Sequence, residues 1–143
     1  MSESVQYIIV RKDLIEKMGI GKTAAQVAHA SLGAVIEKVR EEDVYNIIDV
    51  EKTQIIRGEA IDAWFAGRFT KLVVYVKTKE KLLNLAKRLD KEIPGIKLSY
   101  IYDKCLTKIE PEEENGTTLT CIGVEPLSII NVPKCLKKLR LLE

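Results

Sequence analysis

Short apolar runs alternate with longer stretches whose apolar residues recur at helical spacing. Val5 to Val10 reads VQYIIV, a β-rich run bounded by charge, and predicts a buried strand. A loop is expected from Arg11 to Gly21, with Gly19 and Gly21 as breakers. A helix follows from about Lys22 to Arg40. Its small apolar residues Ala24, Ala25, Val27, Ala28, Ala30, Leu32, Val35 and Val39 suit close packing on a sheet. Between Glu41 and Phe69 the pattern is less regular, but Ile56, Ala60 and Trp64 have helical spacing and predict a short helix before Gly67. Lys71 to Lys77, KLVVYVK, predicts a second strand. Thr78 is positioned to cap a helix marked by Leu82, Leu85, Ala86 and Leu89, which Pro94 and Gly95 end. Ile96 to Tyr102 and Thr117 to Val124 alternate like strands, and a short helix is expected near Pro133 to Lys138.

The order β, α, (α), β, α, β, β, α implies an α/β fold, a single three-layer domain over residues 1–143. Its core would be a four-stranded mixed β-sheet with right-handed crossovers and helices on both faces. There is no internal repeat, low-complexity tract or domain linker. Glu110 to Glu114 is a short acidic loop.

Composition narrows the class of protein. Of 143 residues, 46% are hydrophobic and 31% charged, a balance that excludes a disordered chain. The net charge of +2 is too small to argue for nucleic acid alone, so the placement of basic residues matters more than their sum. Three scattered cysteines, Cys105, Cys121 and Cys135, and one histidine, His29, argue against a zinc site or a disulfide framework and for a reducing compartment. The polar start is unlike a signal peptide, and no apolar run approaches membrane-span length. A cytoplasmic protein without membrane contact is expected. Richness in Lys, Glu and Ile with only three Gln hints at a thermophilic source.

The segment GIGKTAAQVAHA, Gly19 to Ala30, carries the most chemical information. At about 100° per residue, Lys22, Gln26, His29 and Gly33 share one face of the helix. The first N–H groups of a helix lack internal partners and bear partial positive charge. Gly21, Lys22 and those N–H groups therefore form a favourable place for a phosphate or an oxyanion. The same residues also fit a solvated lysine, a neutral glutamine and a half-buried histidine, and the pattern leaves both readings open.

Other chemistries fare worse. GIGKT resembles the end of a phosphate-binding loop, but the motif's first glycine position holds Glu16. No GxSxG elbow exists, and Ser31 falls on a different helix face from His29. The cysteines read as small hydrophobes. A second cluster comprises Asp103 at a strand end, Thr107 in the following loop and Thr118 opening the next strand, residues that by themselves also suit turns.

IIVRKDL, MGIGKTAAQVAHAS, IYDKCLTKIEP and TLTCIG, in that order over most of the chain, resemble the type 2 peptidyl-tRNA hydrolase family of archaea and eukaryotes. The resemblance implies an α/β fold on a four-stranded mixed sheet, usually a homodimer. It also implies hydrolysis of the ester joining a peptide to the terminal ribose of tRNA, with no metal or other cofactor. Lys22 matches the family's active-site lysine, Gln26 and His29 its helix positions, Asp103 its aspartate, and Thr107 and Thr118 its threonines. The chain departs from the pattern at Cys105, usually Gly, and at Lys108, usually Gln. About three extra acidic residues lie within Glu112 to Gly116, and Glu41 to Ile61 is longer than usual.

On this reading Lys22, Asp103, Thr107 and Thr118 carry the catalysis. Lys22 stabilises the oxyanion or a terminal phosphate, Asp103 orients or deprotonates water, and the threonines place water or ribose hydroxyls. Gly21, Gln26, His29, Arg11, Lys12 and Lys108 contact substrate, with Lys17, Arg68, Lys104 and the group Lys134, Lys137, Lys138 and Arg140 as further candidate phosphate contacts. The alternative is a catalytically weak or inactive relative that binds tRNA or a protein partner.

Overall fold

The computed structural model describes residues 3–42 and 59–143. Among these residues, five strands and four α-helices follow in the order β1 (Ser4–Arg11), α1 (Lys12–Glu42), α2 (Glu59–Ala66), β2 (Thr70–Val76), α3 (Lys79–Glu92), β3 (Leu98–Asp103), β4 (Thr118–Val124), β5 (Leu127–Ser128) and α4 (Lys134–Lys137), with a 3-10 turn at Ile129–Asn131. The α/β class and the four-stranded mixed sheet expected from the sequence are observed, with the short β5 added beside β1. The strand order is β2-β1-β4-β3. β1 and β2 are parallel, while β4 runs antiparallel to both β1 and β3. The carboxyl ends of β1, β2 and β3 therefore lie along one edge of the sheet.

The two faces have separate cores. Tyr7, Ile9, Val74, Leu119, Ile122 and Val124 meet Leu82, Leu85, Ala86 and Leu89 of α3. Thr78 caps that helix as expected, its Oγ1 accepting from the Lys81 N–H. On the other face, Ile8, Val10 and Cys121 meet Ala30 of α1. Trp64 and Ile61 of α2 are buried, and Ala63 and Ala66 approach the start of β1. The helix expected before Gly67 is thus present, while Ile56 lies outside the described residues.

Two expectations need correction. The stretch after β1 is helical from Lys12, so Arg11 to Gly21 is not a loop. Gly19 alone breaks the path, with φ 72° and ψ 177°, a backbone region that favours glycine. Leu14 and Met18 lie one turn apart in this first segment and bury against Ile109. The second correction concerns which side of α1 meets the sheet. Ala24, Ala25, Ala28 and Leu32 are exposed, whereas Thr23, Gln26, Ala30, Ser31 and Ala34 are buried. Gln26 and Ser31 are tolerated there because they are paired, whereas the buried Thr23 hydroxyl has no partner among the described residues. The Ser31 hydroxyl donates to Gln6 Oε1 at 2.5 Å, and Gln6 Nε2 donates to the carbonyls of Ser31 and Val124. The helix also sits very close to the sheet. A Cβ at Gly123 would run into the carbonyl oxygen of Ala30, and one at Gly33 into the Ser99 hydroxyl.

Candidate active site

The helical path restarts at Ile20 after the Gly19 break, so Gly21, Lys22 and Thr23 lie in the first turn of the long segment of α1. Their N–H groups sit at its positive end. One turn on, Gln26 is 4% exposed, and His29 stands exposed one turn further. β3 runs alongside and delivers Asp103 at its carboxyl end. The two meet in a cleft of about 460 Å³ lined by Lys22, Gln26, His29, Asp103, Lys104 and Thr107. Leu106, 85% exposed, stands at its rim.

Lys22 is the hub of the cleft. Its Nζ lies 2.9 Å from Asp103 Oδ2 and donates to the Thr107 carbonyl at 2.6 Å and to Thr107 Oγ1 at 3.2 Å. Because the Thr107 hydroxyl oxygen accepts from Lys22, its own hydrogen is left for an outside acceptor. Asp103 is held from both sides. Oδ2 also accepts from the Cys105 N–H at 2.8 Å, and Oδ1 accepts from Gln26 Nε2 at 3.3 Å. Burial pushes this carboxyl up, but the bonds from Lys22, the Cys105 N–H and Gln26 together outweigh it, and the net shift is downward.

Gln26 is itself oriented by Thr120, whose hydroxyl donates to Gln26 Oε1 at 2.7 Å. The β3–β4 register slips between Ile101 and Tyr102, which pair with Cys121 and Leu119 respectively, so Thr120 is the extra residue of a β-bulge. A bulge re-aims a side chain that strict alternation would place elsewhere. Sequence reading missed Thr120 for that reason; the TLTC run reads there as ordinary alternation.

The loop between β3 and β4 needs unusual backbone at two non-glycine residues. Cys105 has φ 58° and Lys108 has φ 72°. A position in this left-handed region suits glycine, so a cysteine at 105 carries backbone strain. The expectation that the cysteines pack as hydrophobes is met at Cys121 and Cys135, both buried. Burial pushes the Cys121 thiol up to about 12.

The remaining candidates are dispersed. Thr118 lies behind the cleft, fully buried, its hydroxyl donating to the Glu110 carbonyl at 2.8 Å and accepting from the Glu112 N–H at 2.9 Å. Arg11 is 2% exposed, its guanidinium bonded to Asp13, Glu112 and the Leu119 carbonyl. Lys12 is exposed and rests over the Tyr75 ring, beside Arg140. Lys104 and Lys108 are exposed on the β3–β4 loop. Arg68 lies by the start of β1, paired with Glu3 at 3.6 Å. Among the described residues, no helix is long and apolar enough to cross a membrane.

Comparison with known proteins bears on the family of the chain. Residues 4–142 match the family model described as peptidyl-tRNA hydrolase PTH2. A peptidyl-tRNA hydrolase of Methanococcus maripaludis is 34% identical over 137 residues, covering 96% of this chain and 97% of the relative. One from Methanopyrus kandleri is 35% identical over 121 residues, covering 85% and 83%. One from Haloquadratum walsbyi is 35% identical over 129 residues, covering 90% and 91%. Matched almost end to end by that family model and by archaeal relatives at 34–35% identity, this chain belongs to the archaeal-type peptidyl-tRNA hydrolase family.

Proposed function

We infer that this chain hydrolyses the ester between a peptide, or an N-blocked aminoacyl group, and the terminal ribose of tRNA in the cleft around Lys22, without a metal ion. The observation that carries this assignment is the contact of one ammonium with both Asp103 and Thr107. Hydrolysis adds water to the ester carbonyl carbon, breaks the bond to the ribose oxygen, protonates that oxygen and frees a carboxylic acid. The transition state places negative charge on the carbonyl oxygen, and a fixed ammonium stabilises it. Lys22 meets that need by exchanging its Thr107 contact for the oxyanion. Asp103 stays ionised beside Lys22 and accepts a hydrogen bond from the attacking water. A depressed carboxyl is a weak base, so orientation of water is its main contribution. The free hydroxyl hydrogen of Thr107 points the same chemistry at a substrate oxygen. Gln26 and Thr120 hold Asp103 in place, Thr118 shapes the loop behind it, and His29 and Gly21 flank the substrate. Exposed Lys12, Lys104 and Lys108 hold phosphates.

The enzyme works in this reading as one unit over residues 1–143, as a cytoplasmic homodimer, the commonest soluble symmetry. Release of N-acetyl-aminoacyl groups from charged tRNA tests it. Lys22→Ala and Asp103→Asn should each lower turnover by about 10²–10³ with folding intact, and chelator should leave the wild-type rate unchanged. Turnover that survives Lys22→Ala would sink the scheme. A wild type that binds tRNA without turnover would indicate a binding module instead.

A further inference from the structure

The β3–β4 loop supplies Thr107 and the Cys105 N–H, yet no strand partner holds its middle. What holds it is a buried cation on β1. Arg11 donates to both Glu112 carboxylate oxygens, at 2.5 and 3.1 Å, and to the Leu119 carbonyl of β4 at 3.0 Å. Asp13 accepts two further bonds from it, at 3.1 and 2.7 Å. Glu112 is then tied by its own N–H to Thr118 Oγ1 and to the Thr117 carbonyl. One residue on, Glu113 pairs with Lys79 at the start of α3. Between this anchor and Lys22, Ile109 buries against Leu14 and Met18, and its N–H bonds the Thr107 carbonyl at 2.8 Å. That carbonyl is the one Lys22 grips.

From this chain of contacts we propose that Arg11 and Glu112 are positioning residues, tethering the β3–β4 loop so that Thr107 and the Cys105 N–H meet Lys22 and Asp103 in register. The proposal rests on the cleft being the hydrolytic site. It gives the acidic stretch a role: the charges of Glu112 and Glu113 are compensated by Arg11 and Lys79, which lowers the repulsion this loop would offer RNA phosphate. Arg11 is a structural counterpart to the loop, not a phosphate ligand, because its donors are spent on Asp13, Glu112 and Leu119.

Glu112→Gln is a mild probe, since Asp13 still compensates the buried guanidinium. Glu114→Gln is the control, an exposed change on the same loop. Turnover with N-acetyl-aminoacyl-tRNA is measured alongside alkylation of Cys105 by iodoacetamide, with buried Cys121 and Cys135 as slow internal references. The expected result for Glu112→Gln is a kcat about ten-fold lower, KM within two-fold, and faster Cys105 alkylation, since small misplacements are costly in a preorganised site. Glu112→Asp, which keeps the charge, should recover part of kcat. Behaviour matching Glu114→Gln in both readouts would overturn the proposal. So would lower thermal stability with unchanged kcat and alkylation, or a loss carried by KM alone. If the wild type lacks turnover, the hydrolase reading fails and alkylation decides: acceleration in Glu112→Gln upholds the tether, and none refutes it.

Discussion

Asp103 shows how a site sets the charge on one atom pair. Its burial favours the neutral acid, and three donors on its two oxygens favour the anion more. A carboxyl depressed in the folded state contributes stability that is fully present above its unfolded value, near 3.9, and is lost as pH falls through the lower folded value. In the wild type the Asp103 carboxylate carbon should therefore show its NMR titration midpoint below the ordinary aspartate value. Lys22→Ala removes the strongest depressing contact and leaves the desolvation in place, so its midpoint should move up. An unmoved midpoint would mean that the ion pair at 2.9 Å does not persist in solution. The residues of this pair were legible in the sequence through the family resemblance, since position alone left both readings of Lys22 open and suited Asp103 to a turn. Thr120 was not, because only a bulge turns it to Gln26. Nor was the burial of Arg11, since sequence offers no sign that Glu112, one hundred and one positions away, comes back to meet it.

At the level of elements, α1 carries most of the site, and its height above the sheet sets where Lys22 and Gln26 point. That height is fixed by the near-contact of the Ala30 carbonyl with Gly123 of β4. Gly123→Ala forces backbone against backbone, which no rotamer change relieves. The helix must lift, and overpacking of this kind costs typically 1–3 kcal/mol. Because Gln26 lies one turn before Ala30, lifting also draws it from Asp103 and Thr120, so turnover should fall along with the urea midpoint. Gly33→Ala is the milder partner, since it presses mainly on the Ser99 side chain. Equal denaturation midpoints for the two variants would refute this account. The helix itself was plain from its spacing, but its first two turns were not. Gly19 and Gly21 look alike as breakers, yet only Gly19 leaves helical geometry, and the Leu14 and Met18 pair was the available signal that residues 12–18 are helical. The inward face was also misjudged, because Gln26 and Ser31 look like surface residues until their partners Thr120 and Gln6 are known.

Across the whole molecule, a net charge of +2 conceals an uneven distribution. β1, β2 and β3 all end on the edge that holds the cleft, and each is followed by a lysine: Lys12, Lys77 and Lys104. Ligands of open α/β sheets gather outside the carboxyl ends of strands, and here that edge is also the basic one. Two acidic residues of the neighbouring loop, Glu112 and Glu113, are paired with Arg11 and Lys79, while the exposed Lys104 and Lys108 form no ion pair among the described residues. A polyanion approaching this edge releases counterions in proportion to the phosphates neutralised, with a logarithmic salt slope of roughly −0.7 per contact on a single strand and −0.9 on a duplex. Lys104→Ala with Lys108→Ala should therefore raise KM for charged tRNA and flatten its salt dependence by about one to two such contacts. kcat at saturation should hold, because neither side chain bonds Asp103 or Thr107. Measuring KM between low and physiological salt, for wild type and double variant, checks this. A parallel pair of salt lines would move the phosphate track elsewhere, with Lys134, Lys137, Lys138 and Arg140 as the next group to neutralise. A fall in kcat with unchanged KM would instead assign the two lysines to the geometry of the loop, whose positive φ at Lys108 makes it sensitive to substitution.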